Sequence, residues 1–292
     1  MTTALSPREV LNKAFLKVKP TRSQIESFKK ELALLVKHVD TKESEENQKN
    51  LLINFLKKSH FEEDYFINTK DRIDLVIHNG NTAKSSVGVL FEVKRTANSN
   101  EMPSKEKLNS KALQELLLYY LRERISSKNI EIKHLIITNT SEWFVFDANL
   151  FEKVFFDDKK LVRLFKEFEL DKGKDTSFFY SQIASDAIER HKDSLEFTYF
   201  DLSTLPKSSL NETSKSDSKL IPLYKILSPE HLLKKPFLND SNSLNKNFYS
   251  ELLHLIGLEE VKEGSKKLIK RKQEGERNGA SFLESAMVQI KT

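Results

Sequence analysis

Three side chains on two strand-like segments carry the chemistry legible in this sequence. Asp74 lies in Arg72-Ile73-Asp74-Leu75-Val76-Ile77. Glu92 and Lys94 lie in Val87-Gly88-Val89-Leu90-Phe91-Glu92-Val93-Lys94-Arg95. Segments this rich in Val, Ile, Leu and Phe bury their side chains, and a buried charge is costly unless it is paired or binds a metal. Glu92 and Lys94 are two residues apart, so on a strand they point to the same face. A hairpin pairing the two segments would bring one acid from each strand, and a lysine, to one point. Such a point can hold Mg²⁺, which takes carboxylate, water and phosphate oxygens.

The chemistry that follows is phosphodiester hydrolysis. A phosphodiester carries negative charge that repels a nucleophile. One or two Mg²⁺ ions held by Asp74 and Glu92, or Mn²⁺ in their place, would neutralise that charge and activate the attacking water. Lys94 would orient or deprotonate the water, or stabilise the pentavalent transition state. Metal cations beside it should lower its pKa. The same residues also have a purely structural alternative. Glu92 and Lys94 could form a same-face salt bridge on an edge strand, with Asp74 ending a turn.

The elements that must position these groups read as follows. Ser6-Pro7-Arg8-Glu9 opens a helix running to about Lys17. A second helix, Ser23–His38, carries Ile25, Phe28, Leu32, Leu35 and Val36 on one stripe. A third runs from about Ser44 to Ser59 with Leu51, Leu52, Phe55 and Leu56 inward. Strands follow at Tyr65–Ile67, Ile73–His78 and Val87–Lys94, with a turn at Asn79-Gly80-Asn81 between the last two. After a polar loop at Thr96–Lys105 come a helix at Lys107–Ile125 and strands at His134–Asn139 and Trp143–Asp147. Helices at Phe151–Phe168 and Thr176–Asp193 precede a last short strand, Phe197–Asp201. This order predicts an α/β fold, a mixed sheet flanked by helices on both faces.

Segment 206–221, rich in Ser, Lys and Asn, reads as a linker. Beyond it a small all-helical region is expected, with helices opened at Ser228-Pro229, spanning Phe248–Ile256 before Gly257, and opened by the capping box Ser281–Glu284. The expected domains are thus N-terminal helices over 1–40, an α/β domain over 41–205, the linker, and a helical region over 222–292. The basic run Lys266–Lys272 would track phosphates or form a solvated helix face.

Composition sets the outer bounds. The chain has 292 residues, of which 38% are hydrophobic and 31% charged, with a formal net charge of +5. That excess permits nucleic-acid binding without requiring it. Cysteine is absent, which excludes disulfides and thiolate zinc sites. The histidines form no His-x-x-x-His pair. No apolar run approaches the ~20 residues that span a bilayer, and the N-terminus carries no basic-then-apolar signal. A cytoplasmic protein that does not enter a membrane is expected.

Asp-x(17)-Glu-x-Lys on adjacent strands resembles the PD-(D/E)XK nuclease superfamily at Asp74, Glu92, Val93 and Lys94. Gln114 and Tyr119, in Gln114-Glu115-Leu116-Leu117-Leu118-Tyr119-Tyr120, look like the Gln-x-x-x-Tyr element of many members, although Leu118 holds the place of the tyrosine. Glu45–Leu56, Asp74–Ile77, Phe91–Lys94 and Ala112–Arg122 are similar to the N-terminal nuclease region of type IIG restriction-modification enzymes, and Phe248–Glu260 to the start of their helical connector.

The resemblance implies a restriction-endonuclease-like fold with Asp74, Glu92, Lys94 and Gln114 as catalytic residues. It implies the Val93 carbonyl as an extra metal ligand and an acid of the preceding helix, Glu46 or Glu45, completing the site. Lys94, Arg95 and Tyr119 would contact DNA. The implied function is an Mg²⁺-dependent, site-specific endonuclease of a restriction-modification system, acting on double-stranded DNA and dimerising transiently on it. No Asn-Pro-Pro-Tyr motif or glycine-rich cofactor loop is found, so no S-adenosylmethionine site is expected. Methyltransferase and target-recognition domains would then act in cis or in trans. The alternatives are a repair or defence nuclease without fixed sequence specificity, or a non-catalytic DNA-binding module.

Overall fold

The computed structural model describes residues 3–38, 44–62, 64–70, 72–171, 173–205, 217–237, 246–263, 266–273, 276 and 281. The chain divides into two compact units, Met1–Lys235 and Pro236–Thr292.

The first unit is α/β, built on a seven-stranded mixed sheet. Its strands are β1 (Thr3–Leu5), β2 (Ile67–Lys70), β3 (Ile73–His78), β4 (Val87–Val93), β5 (His134–Thr138), β6 (Glu142–Asp147) and β7 (Glu196–Asp201). Their order across the sheet is β1-β7-β6-β5-β4-β3-β2. β2, β3 and β4 form an antiparallel meander, and β5 lies parallel to β4. A parallel neighbour requires a crossover, here the helix α5 (Lys111–Leu121). Every residue of β4 is buried, as its unbroken apolar run demands of a central strand.

Among the described residues, the α-helices α1 (Pro7–Val10), α2 (Lys13–Lys17), α3 (Arg22–His38) and α4 (Glu45–Leu56) precede α5. After it come α6 (Ala148–Phe151), α7 (Lys159–Leu170), α8 (Thr176–Phe178), α9 (Ser185–His191), α10 (Asp217–Ile226) and α11 (Pro229–Leu232). Leu113, Leu116, Leu117 and Tyr120 of α5 join Phe144, Phe146, Phe155, Phe165, Phe179 and Phe197 in one buried cluster. Among the described residues no helix is long and apolar enough to cross a membrane.

Capping side chains redraw several expected boundaries. The helix expected from Ser6 to Lys17 is two helices, because Asn12 accepts from Ala14 N at 2.8 Å and starts a new one. The helix after the polar loop starts at Lys111, where Ser110 caps it. The expected Phe151–Phe168 helix is broken at Asp158, which accepts from Leu161 N at 3.0 Å and caps α7. In α3, Ile25, Phe28, Leu32 and Leu35 are buried, but Val36 is exposed.

Domain limits also differ from the sequence reading. The N-terminal helices are not separate, because β1 pairs parallel with β7 inside the main sheet. Residues 217–221 are not linker: they open α10, where Asp217 pairs with Arg22 at 2.7 Å and Lys29 at 2.5 Å of α3. Burial of Leu220, Leu223, Ile226 and Leu227 holds this segment to the first unit. Residues 206–216 lie outside the described residues.

The second unit is not all-helical. The helix α12 (Lys246–Ile256) ends at Gly257, whose φ of 80° suits a helix terminator. An antiparallel hairpin follows, β8 (Leu258–Glu263) and β9 (Lys266–Arg271). The basic run is therefore largely strand: its residues pair across the hairpin, Leu268 with Val261, Lys266 with Glu263 and Lys270 with Glu259, a long-range pairing that replaces the expected helix face. The helix expected after Ser281 lies outside the described residues.

Candidate active site

The β3–β4 register pairs Leu75 with Phe91 and Val76 with Leu90. One step further sets Asp74 against Glu92, and opposed residues of a pair share a face. Asp74 Oδ2 accepts the Val93 N–H at 2.8 Å. On the other side of β4, the Lys94 N–H donates to Thr138 O at 2.9 Å. The backbone of Glu92-Val93-Lys94 is thus fixed from both neighbouring strands.

Glu92 is 1% exposed and Lys94 5%. Lys94 Nζ lies 2.5 Å from Glu92 Oε1 and also pairs with Glu115 of α5. Glu101 stands farther off, at 3.8 Å. Burial would lower the Lys94 pKa, but the charges and hydrogen bonds of Glu92 and Glu115 outweigh it and hold the ammonium protonated beyond the usual lysine range. The depressed lysine expected from metal cations is therefore opposed by the protein's own carboxylates. Burial raises Glu92 well above the usual carboxylate range, and the charges of Asp74 and Glu115 add to that against the pull of Lys94. Burial likewise raises Tyr119, helped by the charges of Glu92 and Asp74.

Two of the expected site residues are placed elsewhere. Gln114 Nε2 donates to Asn109 Oδ1 at 2.9 Å, and Asn109 bonds Ser185, so Gln114 ties α5 toward α9 rather than to Lys94. Glu115 faces Lys94 instead. Glu115 and Tyr119 are four residues apart and share one helical face. The four-residue spacing sought in Gln114–Leu118 is thus occupied one position later, and Leu118 is fully buried. Glu46 is exposed on the first turn of α4. Its neighbour Glu45 reaches the site only through Lys49, whose Nζ lies 3.0 Å from Glu45 Oε1 and 2.6 Å from Asp74 Oδ1. Arg95 follows β4, partly buried.

The sequence reading missed Lys49 and Gln48. Buried Gln48 accepts the Thr96 N–H at 3.1 Å, and Thr96 Oγ1 donates to Asn139 O at 2.9 Å, fixing the chain just after Lys94. The Glu45–Lys49 spacing of four was the available signal for Lys49. Tyr119 opens onto a cavity of about 410 Å³ lined by Arg72, Ile73, Arg122, Ser126 and Ser127.

The donor set fits a hard divalent cation. Glu92 Oε2 is buried with no hydrogen-bond partner among the described residues. Three carboxyl groups, Asp74, Glu92 and Glu115, face two ammonium groups, Lys49 and Lys94. Among the described residues no group of three His, Cys, Asp or Glu converges as a metal cage. Mg²⁺ is commonly bound through one or two carboxylates plus waters and substrate phosphate, so the Asp74–Glu92 pair suits it.

Residues 5–240 match a family described as a domain of unknown function (DUF7149), and residues 241–292 a second so described (DUF7814). No curated protein and no solved structure matches the chain.

Proposed function

The chain belongs to the DUF7149 family, and we propose that it is an Mg²⁺-dependent endonuclease that hydrolyses double-stranded DNA as part of a restriction-modification system. The observation that carries this reading is the placement of Asp74 and Glu92 opposite one another on β3 and β4, with Lys94 joined to Glu92 on the same face.

Asp74, Glu92 and the Val93 carbonyl would hold the ion. When bound, Mg²⁺ neutralises phosphate charge and acidifies a water. Lys94, kept cationic by Glu92 and Glu115, donates hydrogen bonds to the attacking water and to the negative charge that develops on phosphorus oxygens. It acts as an electrostatic donor rather than as a base. Glu115 holds Lys94 in position. Asp74 is aimed by the Val93 amide. The Tyr119 hydroxyl, protonated throughout, is a further donor toward phosphate. Methyltransferase and target-recognition functions belong to other domains or chains.

The test is cleavage of a DNA of high sequence complexity, such as phage genomic DNA, with Mg²⁺. The wild type is expected to leave 5′-phosphate ends, and Lys94→Ala and Asp74→Asn are expected to lose cutting. Equal cutting by wild type and Lys94→Ala removes the assignment.

One observation favours a second reading, a non-catalytic DNA-binding module. Lys49 and Lys94 already neutralise Asp74 and Glu92. Calorimetry separates the two readings: the module binds DNA but no Mg²⁺ or Mn²⁺ through those acids.

A further inference from the structure

We infer that Lys49 is a displaceable counter-ion of this site, released from Asp74 to Glu45 when a divalent cation binds. The inference rests on the metal-dependent nuclease reading above.

Lys49 Nζ stands 2.6 Å from Asp74 Oδ1 and 3.0 Å from Glu45 Oε1. Its side chain is 13% exposed and that of Asp74 11%, so the pair is largely withdrawn from solvent screening. The other oxygen of Asp74 is taken by the Val93 amide. A cation ligated by Asp74 therefore meets an ammonium at the oxygen left to it. A Mg²⁺–oxygen bond is about 2.0–2.1 Å, which leaves the two cations within roughly 5 Å of each other. Their repulsion in a poorly screened site forces the monovalent, flexible partner away.

The structure provides the place for it to go. Glu45 lies one helical turn before Lys49 on α4, already in contact, and is more exposed than Asp74. Rotation about the lysine side-chain bonds carries Nζ from Asp74 to Glu45 with no movement of the helix. Lys94 has no such freedom, because Glu92 and Glu115 hold it from two elements. One lysine thus exchanges with metal while the other stays with the acids. Apart from the metal, Lys49 keeps Asp74 neutralised and aimed.

Calorimetric titration of the full chain with Mn²⁺ tests this, using wild type, Lys49→Met, Lys49→Arg, Glu45→Gln and Asp74→Asn, each checked for folding by circular dichroism. Lys49→Met is expected to bind Mn²⁺ about tenfold tighter than wild type, the size of an ordinary coupling between two binding events. Lys49→Arg keeps the charge and should stay near wild type. Glu45→Gln should bind more weakly, because the displaced ammonium has lost its partner. That opposite sign keeps the test decisive even if Lys49→Met does not fold. Asp74→Asn should not bind. Metal binding in wild type that is unchanged or weaker in Lys49→Met, or unchanged in Glu45→Gln, overturns the counter-ion role and leaves the nuclease reading standing. Absence of Asp74-dependent binding in wild type and Lys49→Met alike overturns both.

Discussion

Asp74 on β3 accepts a hydrogen bond from the amide of Val93 on β4, at 2.8 Å. That amide lies between the two other residues of the candidate site, Glu92 and Lys94. The carboxylate of one strand is therefore oriented by the same peptide segment that carries its partners. Replacing Asp74 by Ala leaves the Val93 N–H without its acceptor, whereas Asn keeps a carbonyl oxygen in place. Denaturant unfolding should show Asp74→Ala less stable than Asp74→Asn by about 1–3 kcal/mol. Equal stabilities would show that the bond does not hold the strands.

Glu92 provides a pH test. Its folded-state pKa is raised by burial and by Asp74 and Glu115, so the folded state holds this proton more tightly than the unfolded chain does. The stability it contributes is fully present below the unfolded carboxyl value, about 4.3. It is lost as the pH rises through the higher folded value. Glu92→Gln, which carries no such proton, should match wild type near the lower limit and exceed it in urea unfolding at neutral to alkaline pH. A constant difference across that range would contradict the buried carboxyl argument.

Glu115, rather than Gln114, meets Lys94. Glu115→Gln should lower the rate of Mg²⁺-dependent cleavage at least tenfold, because it loosens Lys94, and losing one positioned donor to developing charge costs about 10²–10³ in rate. Gln114→Ala should leave the cleavage rate nearly unchanged. The reverse order would place the helix in a different phase.

Lys225 of α10 is 1% exposed, and its Nζ donates to the carbonyls of Phe15 at 2.5 Å, Leu16 at 3.0 Å and Val18 at 2.5 Å. These close the end of α2, where the Phe15 carbonyl also accepts from the Val18 N–H at 3.1 Å. Lys225→Ala should cost about 2–4 kcal/mol, since removing one partner leaves buried acceptors unsatisfied. Chemical denaturation of the full chain measures it.

Gly88 on β4 has no room for a side chain. A Cβ there would lie 2.5 Å from Leu233 Cδ2 and 2.6 Å from Asn79 Oδ1. Gly88→Ala should destabilise the first unit by about 1–3 kcal/mol through overpacking. A neutral effect on thermal unfolding would show that Leu233 and Asn79 can turn aside.

Much of this architecture is written locally. Strand β3 was legible over its full length and β4 to within one residue, because an apolar run with a strand period reports its own burial. The acids and the lysine stood out for the same reason: charges in such a run demand partners. Helix starts were less legible where Asn12, Ser110 and Asp158 cap, since each sits inside a pattern that would otherwise continue as helix.

By itself, then, the sequence determined the two strands of the site and the parity that sets Glu92 and Lys94 on one face, since alternation along a strand needs no other part of the chain. Tertiary structure alone decided that Glu115 and Lys49, and not Gln114 and Glu46, meet those groups. It also decided that β1 joins β7 and that the C-terminal basic run pairs as a hairpin. Those outcomes depend on the rotation of each helix against the sheet and on pairing between distant segments, which no local spacing specifies.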